Sequence, residues 1–255
     1  MNYEERKSLV RSYLGRTVDI VIDRPLGSAH PKYPKTVYKV NYGYVPNTVS
    51  GDGEPIDVYL LGVNKPVERY RGRVIGIVHR RRDREDKLVA APVGMELHQA
   101  QIEAAVRFTE KYFHHYVEAL NEKSCGAVVY TILDGKPHYL LINSRDGYCG
   151  FPKGHMELGE NEVKTAVREI WEETSVKAEI VGSFRRETSY PIGRGRKKKV
   201  VYFLASFEDQ EPCHNAGFEN NELLLLPFEE AQARLTHKDA KNILAEANSL
   251  VLNTK

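Results

Sequence analysis

The chain has 255 residues, 41% of them hydrophobic, and a formal net charge of +2, which is enough for two domains with packed cores. No apolar run approaches the ~20 residues needed to cross a bilayer, Met1 to Glu5 lack the layout of a signal peptide, and near-neutral charge argues against a general nucleic-acid binder. The cysteines Cys125, Cys149 and Cys213 are scattered and odd in number, so a reducing, cytoplasmic setting without a disulfide frame is expected.

Residues 1–14 read as a short amphipathic helix ended by Gly15, and Thr17 to Asp23 alternates as a strand. Pro25, Gly27, Pro31 and Pro34 mark irregular structure. Asn41-Tyr42-Gly43-Tyr44 leads to a turn at Ser50-Gly51-Asp52-Gly53, and strands follow at 55–63, 74–79 and 87–92. The longest helical pattern runs from Leu97 to Leu120, with Ile102, Val106, Phe113, Val117 and Leu120 on one stripe. The polar stretch Asn121 to Ser124 then reads as a joint between two domains, 1–121 and 122–255.

Cys125 to Leu133 starts again as an apolar strand, Asp134-Gly135-Lys136-Pro137 is a hairpin turn, and His138 to Asn143 is the return strand. Phe151-Pro152-Lys153-Gly154-His155 reads as a tight loop whose cation is aimed at the next helix. On that helix Glu169, Glu172 and Glu173 share one face, and Val163, Val167 and Ile170 form the buried stripe opposite. Each like-charged pair costs roughly 0.2–0.5 kcal/mol, a penalty that a hard divalent cation such as magnesium removes. Strands at 178–187, 199–207 and 223–226 and helices at 228–235 and 239–250 complete a mixed α+β half. The basic clusters Arg80-Arg81-Arg82 and Arg194 to Lys199 suit phosphate-rich small substrates or a solvated loop.

Gly154, Glu160, Arg168, Glu169, Ile170, Glu172, Glu173 and Val176 resemble the Nudix box, G-x5-E-x7-R-E-U-x-E-E-x-G-U, where U is a bulky aliphatic; Ser175 stands in place of its second glycine. The resemblance implies an α/β/α sandwich with a mixed sheet and a metal-dependent hydrolase of nucleoside diphosphate derivatives. Magnesium, with manganese as the alternative, would sit on Glu169, Glu172 and Glu173 together with Glu157. Arg168 and Glu160 would pair to fix loop against helix, and Lys153 would bind a phosphate. Glu169 is the first candidate for the general base and Glu219 the second; Glu173 is the substitution that tests the face. Phe151 to His155, Phe184 to Tyr190 and Lys198 to Tyr202 further resemble the asymmetric diadenosine tetraphosphate hydrolases. That likeness implies that Tyr190 stacks on a base, that Lys198 lies in a loop holding the phosphate chain, and that the products are ATP and AMP. Leu223 occupies the place of a second stacking tyrosine.

In the first half, Asp52-Gly53-Glu54-Pro55-Ile56-Asp57-Val58 places Asp57 inside an apolar run, where its charge needs a partner or a metal. The stretch resembles the D-G-D-P-x-D-V motif of family I inorganic pyrophosphatases, as do Asp23-Arg24, Asn41 to Tyr44, Asp86 to Ala90 and His115-Tyr116. This implies a β-rich, barrel-like α+β domain with metal on Asp52, Glu54 and Asp57 and phosphate contacts from Arg24, Tyr42, Lys87 and Tyr116. Glu54 replaces an aspartate and Val117 a lysine, and Asp83 and Glu85 or Asp86 stand for the pair of aspartates before Lys87. A retuned pyrophosphatase and a non-catalytic module, for binding or homo-oligomerisation, both remain open. Nucleotide or pyrophosphate substrates are expected, without a membrane or nucleic-acid partner.

Overall fold

The computed structural model describes residues 2–214 and 221–253; the chain divides into one compact unit of residues 1–122 with 191–197 and a second of 123–190 with 198–255. In the first, Asn2 caps α1 (Tyr3–Arg11): its side chain accepts from the Glu5 N–H while the Glu5 carboxylate accepts from the Asn2 N–H. There follow β1 (Thr17–Arg24), β2 (Asn41–Val45), β3 (Ile56–Leu60), β4 (Arg69–Arg80), β5 (Lys87–Ala91), α2 (Gln99–Glu110) and β6 (His115–Ala119). The strand order is β1-β2-β3-β5-β4-β6, and β1 also pairs with β4, so five strands close into a barrel with β6 alongside β4. Strand alternation sends Ile20, Val58, Leu60, Ile77 and Leu88 into one core and Tyr59, Ile75 and Val89 into another, against Ile102 and Val106 of α2.

The helix expected over Leu97 to Leu120 stops at Glu110. Val117 lies in β6 opposite Val78, where the exposed edge of β4 offers the backbone a full ladder that outweighs the helical spacing. A buried ionic chain ties α1 to this unit. Arg6 Nε donates to Asp86 at 3.1 Å, Asp86 lies 3.3 Å from His79 Nδ1, His79 Nε2 lies 3.0 Å from Glu118, and Arg11 Nε donates to Glu118 at 2.7 Å. Burial alone lowers the pKa of His79, but its hydrogen bonds to the two carboxylates outweigh that and raise it. Burial likewise works to raise Glu118, yet hydrogen bonds from His79 and Arg11 hold it down at about 2.

The second unit comprises β7 (Asn121–Leu133), β8 (Lys136–Asn143), β9 (Cys149–Gly150), β10 (Lys153–His155), α3 (Glu162–Thr174), β11 (Glu179–Pro191), β12 (Lys197–Ser206), β13 (Glu222–Pro227), α4 (Phe228–Arg234) and α5 (Lys238–Asn253). Its sheet runs β11-β12-β7-β8-β13, with β10 on β7 and β9 on β8. Asp134 and Gly135, with φ of 49° and 73°, form the two-residue turn of the β7–β8 hairpin. The polar stretch read as a joint is the start of β7, and the division between the two units falls within it, after Glu122; Lys123 pairs with Glu162 at 2.7 Å and Ser124 is buried. Cys125, Ala127 and Val129 face Ala166 and Ile170 of α3, while Val128, Tyr139 and Leu141 face Leu244 and Ala247 of α5. The buried face of α3 is Thr165, Ala166, Ile170 and Thr174, and Val163 and Val167 are 42% and 36% exposed. The small Ala166, one turn before Ile170, brings this stripe rather than the valines against the sheet. Among the described residues no helix is long and apolar enough to cross a membrane.

Candidate functional site

Asn161 caps α3 by accepting from the Lys164 N–H at 2.9 Å, and Ser175 ends it in the left-handed region at φ 58°. Between these caps the carboxylates of the helix surround one guanidinium. Arg168 grips Glu160 as a fork, Nε to Oε1 at 2.7 Å and Nη2 to Oε2 at 3.0 Å, and Nη2 also reaches the His155 carbonyl at 2.9 Å. Its Nη1 donates to Glu169 at 2.8 Å and to Glu172 at 2.9 Å. Hydrogen bonding from Arg168 is the main reason that the Glu160 carboxyl is held down at about 2. Glu169 moves the other way: burial raises its pKa, and Arg168 offsets only part of that.

The segment expected as a tight loop before the helix is instead strand β10, because Lys153, Gly154 and His155 pair with Gly126, Cys125 and Ser124 of β7. The pairing aims the Lys153 N–H at Glu173 Oε2, 2.8 Å away. Gly154 is required here. A Cβ on it would lie 2.1 Å from the Glu169 carboxylate, so glycine alone leaves room for that side chain. Glu157 is exposed, and its N–H donates to Glu160 at 3.0 Å.

Lys153 Nζ lies 5.2 Å from the centroid of the Tyr148 ring. Burial and the neighbouring Tyr190 push the Tyr148 phenol up to about 12, with Glu173 among the contributing groups. Tyr190 is 41% exposed on β11. Tyr148 went unread in the sequence because it stands in a turn-rich stretch outside the box; its place two residues before Gly150 and five before Lys153 is the available signal. Lys198 lies in strand β12 rather than in a loop, since it continues the alternation of that strand. Leu223 packs partly buried against the α3-side core, and Glu219 lies outside the described residues.

Among the described residues no three acidic, histidine or cysteine side chains form a preassembled metal centre; Arg168 stands between Glu169 and Glu172. The donor set still suits magnesium. All its candidate donors are carboxylate oxygens, and an ion on Glu169 and Glu172 competes with Nη1 of Arg168 alone, because the fork to Glu160 uses the other two nitrogens.

The first unit holds a cavity of about 1100 Å³ lined by Arg24, Tyr42, Asp52, Glu54, Asp57 and Lys87. Lys87 Nζ lies 2.6 Å from both Asp57 and Glu85 and 2.7 Å from the Tyr42 hydroxyl, which itself donates to Asp57. Burial works to raise Asp57, but Lys87 outweighs it and lowers the carboxyl; at Glu85 burial wins and the carboxyl rises. Asp52 and Glu54 are exposed at the turn before β3. Tyr116 does not line the cavity, because β6 turns its ring onto His79, with centroids 4.8 Å apart. Glu85 faces the cavity, whereas Asp86 points into the ionic chain around His79. The basic run divides in the same way: Arg80 is buried on Glu110, with two contacts of 2.8 Å, and Arg81 and Arg82 are exposed. His30, Tyr33, Lys35, Tyr38 and Arg80 also line the cavity and were not singled out for it, since the barrel gathers them from distant stretches.

Comparison with known proteins finds two families, one for each half of the chain. The family model described as NUDIX domain matches residues 123–247, and that described as Inorganic pyrophosphatase matches 18–135. An asymmetrical bis(5'-nucleosyl)-tetraphosphatase of Mus musculus is 31% identical over 143 residues, 52% of this chain and 97% of that protein. An inorganic pyrophosphatase of Xylella fastidiosa is 38% identical over 78 residues, which are 29% of this chain and 40% of that protein. A solved structure of a C. elegans Ap4A hydrolase binary complex aligns with a TM-score of 0.47 at 25% identity, covering 52% of this chain and 99% of that one. Through its second unit the chain belongs to the Nudix hydrolase family, and it carries an inorganic pyrophosphatase domain ahead of the Nudix domain.

Proposed function

We propose that the Nudix unit, read as an α/β/α sandwich, cleaves a dinucleoside tetraphosphate asymmetrically, diadenosine tetraphosphate giving ATP and AMP. The observation that carries this reading is Lys153, whose Nζ lies 5.2 Å from the Tyr148 ring centroid and whose own N–H holds Glu173. A ring for a base, a cation for a phosphate chain and the carboxylate face meet at Lys153. The identity to the mouse tetraphosphatase, over nearly all of that protein, supports the same substrate class.

Glu169, Glu172 and Glu173, with Glu157, would hold magnesium, which when bound neutralises phosphate oxygens and makes water more nucleophilic. Arg168 keeps the Glu160 loop against the helix. Lys153 takes a phosphate oxygen, and a base stacks on Tyr190. Glu169, whose carboxyl is made more basic by burial, takes the proton of a water whose oxygen bonds to a phosphorus of the chain as the P–O bond to the leaving nucleotide breaks. Chromatography of the products from diadenosine tetraphosphate with magnesium tests the reading. Intact substrate, alongside cleavage of nucleotide sugars or triphosphates, overturns it in favour of another nucleoside diphosphate derivative. The packed position of Leu223 favours that second reading, since it offers no ring there.

In the first unit, the contacts of Lys87 with Asp57 and Tyr42 support a phosphate site. Phosphate release from pyrophosphate, by wild type and by Asp57→Asn, decides between a pyrophosphatase and a binding module.

A further inference from the structure

We infer that the cavity of the first unit binds a nucleoside phosphate, with its phosphate end on Arg24, Lys35 and Lys87 and its base on an aromatic rim of Tyr33 and Tyr112. The inference rests on reading this cavity as a phosphate site and names what else the ligand carries. Its lining combines two chemistries. Arg24 Nε is buried without a hydrogen-bond partner, and Lys35 adds a second cation to the lining. A buried N–H donor left unpaired is costly, and an anionic oxygen satisfies it. Of the carboxylates in the lining, Asp23 pairs with Arg24 at 2.8 Å and Asp57 and Glu85 with Lys87 at 2.6 Å, while Asp52 and Glu54 are the candidate magnesium ligands, so the ligand is taken with that ion.

Tyr33 and Tyr112 also line the cavity and yet stay 66% and 71% exposed. Rings left in water at the mouth of a charged pocket contribute nothing to a bare pyrophosphate, which has no apolar surface to cover them. A nucleobase covers them, and Lys111 Nζ, 4.9 Å from the Tyr112 ring centroid, already backs that ring with a cation. Size agrees with the chemistry. A cavity of about 1100 Å³ is at or above the range of roughly 300–1,000 Å³ typical of sites for drug-sized ligands, and is far roomier than two phosphates need.

Calorimetry on the full chain tests this, with α,β-methylene-ADP and inorganic pyrophosphate as separate probes, each with magnesium. In Tyr33→Ala/Tyr112→Ala, one nucleotide site weakens by roughly 10- to 100-fold while pyrophosphate affinity stays within about twofold. Both side chains are exposed, so the unfolding midpoint stays near that of wild type and misfolding does not mimic the result. Lys87→Met weakens both probes at this site. Nucleotide binding indifferent to the two rings overturns the inference, and leaves the phosphate-site reading standing if pyrophosphate still binds. Ring-sensitive nucleotide binding without pyrophosphate binding upholds the inference and removes pyrophosphate as the substrate. Binding of neither probe overturns both.

Discussion

Arg168 holds Glu160 with a two-point fork, 2.7 Å from Nε and 3.0 Å from Nη2, while its remaining nitrogen spans Glu169 and Glu172. One cation thereby sets the loop entering α3 and the spacing of two carboxylates. Arg168→Lys keeps the charge and loses the fork, since an ammonium cannot match a carboxylate at two points. Turnover of diadenosine tetraphosphate in steady-state assays should fall by about 10–100-fold, as for other residues that orient a site through its ligands. Unchanged turnover would show that charge alone suffices.

Gly154→Ala tests the closeness of β10 and α3. The added methyl would meet the Glu169 carboxylate at 2.1 Å, and that carboxylate is the mobile end of a flexible side chain. Glu169 should move rather than the backbone. Turnover therefore falls by two orders of magnitude or more if Glu169 is the base, while the denaturation midpoint barely shifts. A large loss of stability with normal turnover per folded molecule would contradict this.

The ionic chain around His79 gives the first unit a pH-dependent stability. The folded pKa of His79 is raised, so its contribution is fully present below about 6.5, the unfolded value, and is lost as pH rises through the folded value. Glu118, at about 2 when folded, contributes fully above its ordinary value of 4.5 and loses that as pH falls. Urea midpoints measured from about pH 5.5 to 8.5 should decline on the alkaline side, and His79→Gln should flatten the decline. An equal decline in the variant would place the titration elsewhere.

Ser175 occupies a left-handed helix end, φ 58°, where a side chain is strained. Ser175→Gly should stabilise the second unit by about 1 kcal/mol and raise its melting temperature by about 2–4 °C. Calorimetric melting checks both; a decrease would mean that the serine makes compensating contacts.

Local rules explain where the sequence was readable. The Nudix box is a contiguous run, so α3 and its end at Ser175 can be read locally, and the Arg168–Glu160 pair follows from the family resemblance. The Asp134-Gly135 turn likewise carries its own backbone preference. Partners distant in sequence decide the rest. The 97–120 stripe looked helical because Val117 and Leu120 fall in phase, but the edge of β4 takes that segment as a strand. Val163 and Val167 look like a core face until the sheet selects Ala166 and Ile170 instead. Tyr116, read by motif as a phosphate contact, turns onto His79 because strand register sets its direction. Tyr148 becomes legible only once β9 and β10 bring it beside Lys153, and the aromatic rim of the first-unit cavity is set by closure of the barrel.

The most direct test incubates the full chain with diadenosine tetraphosphate and magnesium, alongside Glu173→Gln, and separates the nucleotides by ion exchange. Equal amounts of ATP and AMP, dependent on the metal and abolished in the variant, are predicted. Two molecules of ADP, or the same turnover without Glu173 or without magnesium, would contradict a carboxylate face that works through a divalent ion.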